Sequence, residues 1–192
     1  MNSYQLMQTR KPYSIVYDRM PMQRQQRAYH LCWRFNQTDP LNHQRQFLIL
    51  KKLFQTTAHP MINPPFHCDY GFNVRFHDFA FLNYGAVILD TSPVTFGKGV
   101  MIGPHVCLAC SGHPINYRGR QKGMMTSAPI TIGDDVWIGA NCFIKGGVTI
   151  GQHSVIGAGS TVTHDIPADV VAFGSPCRVR RKIAVGYHNS KN

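Results

Sequence analysis

Ten histidines and six cysteines are the side chains of this sequence best suited to proton transfer or nucleophilic attack, and their positions separate them. His113 lies in CSGHPINYRG, Cys110 to Gly119, an irregular stretch inside a region that otherwise repeats every six residues. Imidazole, with an unperturbed pKa of about 6.5, can take up and return a proton near neutral pH. Irregular loops on rigid scaffolds are where reactive groups are usually mounted. Position alone leaves His113 divided between a general base and an ordinary loop histidine. His30 and His43 fall in segments with helical spacing, and His59 and His67 precede the repeat. His105, His153 and His164 take corner positions where a solvated side chain costs little, and His77 and His188 carry no stronger signal.

The cysteines, Cys32, Cys68, Cys107, Cys110, Cys142 and Cys177, have no framework spacing, so they read as reduced and mostly buried thiols. Cys107 and Cys110 make one C-x-x-C. Without a second pair, packing outweighs zinc binding as its purpose.

The elements that must position these groups follow from the repeat. From Val94 the chain divides into VTFGKG, VMIGPH and VCLACS, then an interruption, then ITIGDD, VWIGAN, CFIKGG, VTIGQH, SVIGAG and STVTHD. An apolar residue recurs at Ile102, Leu108, Ile132, Ile138, Ile144, Ile150, Ile156 and Val162, with a small or branched residue usually two positions earlier. Residues two apart share one side of an extended chain, so each hexad is a short strand with an inward dyad, followed by a corner. Gly103, Gly133, Gly139, Gly151 and Gly157 fall where those corners need a permissive backbone. Hexapeptide periodicity is the signature of a parallel β-helix, about three hexads to a triangular coil. Weaker hexads begin at Val74, so the repeat covers roughly residues 74 to 166.

Upstream, Arg24 to Asn36 and Leu41 to Phe54 have helical spacing, with Asp39-Pro40 as cap and first turn of the second. Downstream, Pro167 and Pro176 punctuate a tail that should leave the coil and fold back across it. The expected division is a helical subdomain over 1–58, a β-helix over 59–166 with an inserted loop at 111–128, and a basic tail over 167–192.

A hydrophobic content of 43% supports a real core. No apolar run approaches the roughly 20 residues that span a membrane, and MNSYQLMQTRKPYSIVYDR lacks the apolar core of a secretory signal, so a cytoplasmic protein is expected. The formal charge of +11 is spread through the N-terminal segments and the tail. It admits a polyanion-binding protein, although the stacking aromatics and recognition motifs of a nucleic-acid module are missing.

The ordered set RFN, CDYGFNV, FLNYG, GHP, ITIGDDVWIGAN, GVTIG, SVIGAGSTVTHDIP and GSPCRVRRKI resembles the maltose and galactoside O-acetyltransferase family across nearly the whole chain. The resemblance implies a mainly β protein, a left-handed parallel β-helix with a short N-terminal helical subdomain, assembled as a homotrimer with sites between subunits. It implies acetyl-CoA as acyl donor, a hydroxylated acceptor such as a sugar, and no metal. His113 would then be the general base, since a sugar hydroxyl is too weakly acidic to attack a thioester unaided.

Asn83 falls at a family position that contacts the acceptor and helps the transition state; without the resemblance it is a corner asparagine. Asp69, Thr91 and Met125 fall at acceptor-contacting positions, with Asp90 a carboxylate beside them. Trp137, Ala140, Ala158, Thr163 and His164 match positions lining the pantetheine and nucleotide. Arg178 and Arg181 match basic residues near the phosphates, where guanidinium groups bind by paired hydrogen bonds; the alternative is a solvated basic tail.

The chain also departs from the family. An N-terminal substrate-side aspartate is replaced by Ile15 or Val16, with Asp18 a candidate only if the alignment slips. Ala140 stands where relatives often have serine, His164 where many have lysine, and Lys145-Gly146 replaces a usual Asn-Pro corner. Antibiotic-acetylating relatives share the hexads and a loop histidine but lack this N-terminal segment. A metal-dependent carbonic anhydrase on a similar helix needs three converging histidines, and spacings such as His105 to His113 or His153 to His164 lack that pattern.

Overall fold

The computed structural model describes residues 3–14 and 19–184. Its body is a parallel β-helix with three faces, visited in the same order on each coil. The first face stacks Met61–Ile62, Ala80–Leu82, Val100–Ile102, Trp137–Ile138, Val155–Ile156 and Val170–Phe173. The second stacks His67–Cys68, Val87–Leu89, Cys107–Ala109, Phe143–Lys145 and Thr161–Val162. The third stacks Val74–Phe76, Val94–Phe96, Ile130–Ile132 and Thr149–Ile150.

Register shows how the coil tolerates its insertion. Phe143 pairs with Thr161, one regular coil on, whereas Cys107 pairs with Phe143, a coil plus a loop of the same length. The loop therefore adds chain without shifting the pleat, and every hexad keeps its inward residue. Ile102, Leu108, Ile132, Ile138, Ile144, Ile150, Ile156 and Val162 are all buried, as the repeat requires. Each such side chain contributes about 1.5–3 kcal/mol by leaving water.

The corner glycines serve a different purpose from the expected one. None of Gly103, Gly133, Gly139, Gly151 and Gly157 has a positive φ; that conformation falls on His105, Asp135, Asn141 and His153. What glycine provides is close approach: a Cβ at Gly103 would lie 2.7 Å from the Ala140 nitrogen, and one at Gly139 2.6 Å from that of Ala158. Stacked coils leave no room for a side chain there.

The first coil starts at Met61, earlier than the hexads traced from Val74. Over it pack helix α2 (Arg19–Asn36) and helix α3 (His43–Phe54), which follow a short helix α1 (Ser3–Met7). The cap of α3 is Asn42, whose side chain accepts the Arg45 N–H, and not Asp39-Pro40. Asp39 instead accepts the Leu41 N–H and closes the preceding turn. Ile49, Leu50, Leu53 and Phe54 of α3 join Ala28, Leu31, Cys32 and Phe35 of α2 in one core with the coils. Beyond the last coil the tail folds back as expected: Arg178–Lys182 runs antiparallel along Val170–Phe173.

Candidate active site

The loop that carries His113 leaves the corner between the second and third faces. Its first strand, Ser111–Gly112, pairs antiparallel with its last, Met124–Ser127. The N-terminal strand Tyr13–Ser14 adds to the other edge, Tyr13 opposite Met125. Tyr13 is buried with Met7 and Tyr70, against which Phe72 and Met125 pack. A one-turn helix α4 (Tyr117–Gln121) closes the loop, capped by the Asn116 side chain. Arg120 donates to the carbonyls of Pro114 and Ile115 at 2.8 and 2.6 Å, pinning the residues that follow His113.

A chain of hydroxyls fastens the loop to the coil. Thr91 donates to Ser127 at 2.7 Å, Ser127 to Ser92 at 2.7 Å, and Ser92 to the Met7 carbonyl at 2.6 Å. All three hydroxyl residues are buried, so each bond also avoids the cost of an unpaired polar group. His113 itself is exposed; its Nδ1–H donates to the Met124 carbonyl at 3.4 Å. That bond selects the tautomer with Nε2 unprotonated.

Asp69, Asp90 and Thr91 occupy the same corner on the two preceding coils. Asp69 is partly buried and accepts from the Gln25 amide at 3.2 Å and the Tyr29 hydroxyl at 3.4 Å. Burial raises its pKa, against the pull of those two donors. Asp90 and Thr91 are both buried in this chain. Asp90 accepts the Tyr70 N–H at 2.8 Å, and its backbone carbonyl accepts from Asn73 at 2.7 Å. Burial pushes the Asp90 carboxyl up to about 7, partly offset by the Tyr70 N–H. The nearby Cys110 thiol is raised by burial to about 12, so it stays protonated and is no nucleophile.

The remaining candidates lie elsewhere. Asn83, Ala140 and Ala158 stack along the other edge of the second face, at its corner with the first, and Trp137 stands outward on the first face. Asn83 Oδ1 accepts from the Asn63 amide at 3.3 Å and the Tyr84 N–H at 2.8 Å. Thr163 and His164 hydrogen-bond at 3.0 Å, and His164 and Arg178 line one cavity of about 300 Å³. Arg181 pairs with Val171 and continues outward from Val155 and Trp137 along the first face. The structure thus joins His113 with Met125, Thr91 with the loop, and His164 with Arg178. It leaves His113 and Asn83 on different edges of the prism. Ile15, Val16 and Asp18 lie outside the described residues.

Ser92, Ser127 and Tyr13 hold the loop and Asn73 holds the Asp90 carbonyl, and sequence reasoning missed them. Only Gln25 and Tyr29, four apart on α2, carried a signal that would place them together. Among the described residues no group of three or more His, Cys, Asp or Glu is arranged to hold a metal ion, and no helix is long and apolar enough to cross a membrane.

Residues 129–164 match the bacterial transferase hexapeptide (six repeats), and residues 7–58 match the maltose acetyltransferase hexapeptide capping motif. Over 158 residues the chain is 43% identical to the galactoside O-acetyltransferase of Escherichia coli K12, covering 82% of this chain and 78% of that one. A maltose O-acetyltransferase from Clostridium difficile 630 superposes with a TM-score of 0.91 at 35% identity, covering 96% and 98% of the two chains. A hexapeptide-repeat acetyltransferase from Vibrio cholerae O1 biovar eltor, solved with acetyl coenzyme A, gives 0.87 at 34%, covering 96% and 100%. The chain belongs to the maltose and galactoside O-acetyltransferase family of hexapeptide-repeat enzymes, and it is an acetyltransferase.

Proposed function

We propose that the protein transfers acetyl from acetyl-CoA to a hydroxyl of a sugar or related acceptor, with His113 as general base. The observation that carries this is the bond from His113 Nδ1 to the Met124 carbonyl, which leaves Nε2 as the proton acceptor on an exposed, braced loop. Nε2 removes the hydroxyl proton as the oxygen attacks the acetyl carbonyl. The Ala140 backbone N–H meets the oxyanion of the tetrahedral intermediate. The carbon–sulfur bond then breaks and the proton on His113 leaves with the thiol of coenzyme A. Asp69 and Met125 flank the acceptor. Trp137, Ala158 and Thr163 line the donor, and His164, Arg178 and Arg181 take its phosphates. Six free thiols and the donor's cellular pool fit a cytoplasmic enzyme.

The working form is a homotrimer. Outward on the first face, Met61, Phe81, Met101, Trp137, Val155 and Val171 stand in register, an unbroken apolar ladder. Met61, Met101 and Trp137 are 50–56% exposed in the single chain. Covering such a ladder with a second copy would also bring one copy's His113 loop to another copy's Asn83 edge.

The test is a thiol-release assay with acetyl-CoA across sugars, oligosaccharides and antibiotics. His113→Ala is expected to keep the fold and coenzyme A binding while turnover falls at least about a hundredfold. Near-normal turnover would sink the assignment of His113.

A further inference from the structure

Helix α2 lies on the first coil through one row of side chains. Asn36 donates to the Phe66 carbonyl at 3.1 Å and accepts the Phe66 N–H at 2.9 Å. Cys32 Sγ stands 3.7 Å from Cys68 Sγ, and Tyr29 and Gln25 reach Asp69. Positions 25, 29, 32 and 36 form a single stripe of helix. The two cysteines are 2% and 3% exposed, and acetyl transfer as derived above uses neither. Cys110 and Cys142, by contrast, direct their thiols to backbone carbonyls.

At 3.7 Å the two sulfurs are in van der Waals contact, and a disulfide between them needs an approach to roughly 2.05 Å. The bond between the two thiols lowers the Cys32 pKa against the opposing effect of burial and, together with burial, raises Cys68 well above its usual range. With Cys32 as the attacking thiol, Cys68 is the resolving one.

We propose that Cys32 and Cys68 are a reversible disulfide site, oxidised by a peroxide, that fastens α2 to the first coil. The Cys32 thiolate attacks the O–O bond; a sulfenic acid forms, and the displaced hydroxide takes a proton and leaves as water. The Cys68 sulfur then attacks Cys32 Sγ, the S–O bond breaks, and a second water leaves with the Cys68 proton. The two thiols lose two electrons and two protons, and hydrogen peroxide becomes two waters. Burial limits the reaction to moments when the α2 row opens, which makes it slow; the neighbouring sulfur makes a disulfide, rather than a lone oxidised thiol, its product.

The experiment treats the purified full chain with hydrogen peroxide, denatures it in alkylating reagent, and maps its peptides. The expected result is a Cys32–Cys68 linked peptide, a mass lower by about 2 Da before alkylation, and recovery of all six thiols with dithiothreitol. The oxidised chain should unfold several degrees higher, and Cys32→Ala should abolish both linkage and gain. Six alkylated thiols after oxidation, or a linkage to any other cysteine, would overturn the proposal. The mass readout needs no acetyl transfer, so a chain inactive towards every acceptor still shows whether the disulfide forms.

Discussion

Outside the first face stand Met61, Phe81, Met101, Trp137, Val155 and Val171; outside the third stand Arg75, Thr95, Thr131 and Thr149. Inside, the two faces are alike, with Leu82, Ile102 and Ile138 on one and Val94, Phe96 and Ile130 on the other all buried. A coil constrains its interior the same way on every face, because three inward rows must fill one prism. It leaves the exterior free, so an apolar exterior on one face records what that face meets. The third face meets water. In the proposed trimer the first face meets a second copy, and the proposed site, split between two edges of the prism, needs that copy.

Breaking the apolar ladder should have the largest effect. Met101→Asp is expected to turn the proposed trimer into monomers, read by sedimentation or light scattering. Turnover should fall at least about a hundredfold, because the two halves of the site separate. Ile138→Ala, beside the ladder but pointing inward, should cost about 3 kcal/mol in denaturant unfolding of the assembled protein. It should leave the oligomeric state unchanged at low denaturant.

The Asp90 carboxyl, raised to about 7, gives a smaller and pH-dependent effect. The folded state holds this proton where the unfolded chain, with a carboxyl pKa near 3.9, releases it. Asp90 therefore lowers stability progressively as pH rises from about 4 to about 7, with no further loss above. Asp90→Asn should flatten that part of the profile of unfolding midpoint against pH; an unchanged slope would place the cause elsewhere. Thr131→Asp, the counterpart of Met101→Asp on the polar face, should change stability by less than about 0.5 kcal/mol and leave both assembly and turnover intact.

The inward residues of the coil were legible because their period is imposed by packing, and the loop that carries His113 was legible because it breaks that period. The β-helix was expected from residue 59, but the hexad pattern of Met61–Ile62 and His67–Cys68 is masked by the prolines of MINPPFHC, although the register with the next coil is regular. Nothing in Tyr13–Ser14 announces a strand; its pairing with Met124–Met125 is set by tertiary packing of Tyr13. Asp90 illustrates the same boundary at the site. Its residue type fits a hydroxyl-binding carboxylate, and only burial shows that it holds the backbone of Tyr70. The separation of His113 from Asn83 is likewise a property of which corner each occupies, which composition and spacing along the chain do not encode.

Complementation between two inactive variants tests the shared site most directly. His113→Ala and Asn83→Ala, each purified and each deficient in thiol release, are mixed under conditions that exchange subunits. A site built from His113 of one copy and Asn83 of the next is intact wherever the two unmutated residues meet, so about a quarter of wild-type turnover should return. Turnover that stays at the level of the separate variants, with exchange verified by mass, would contradict a site shared between copies.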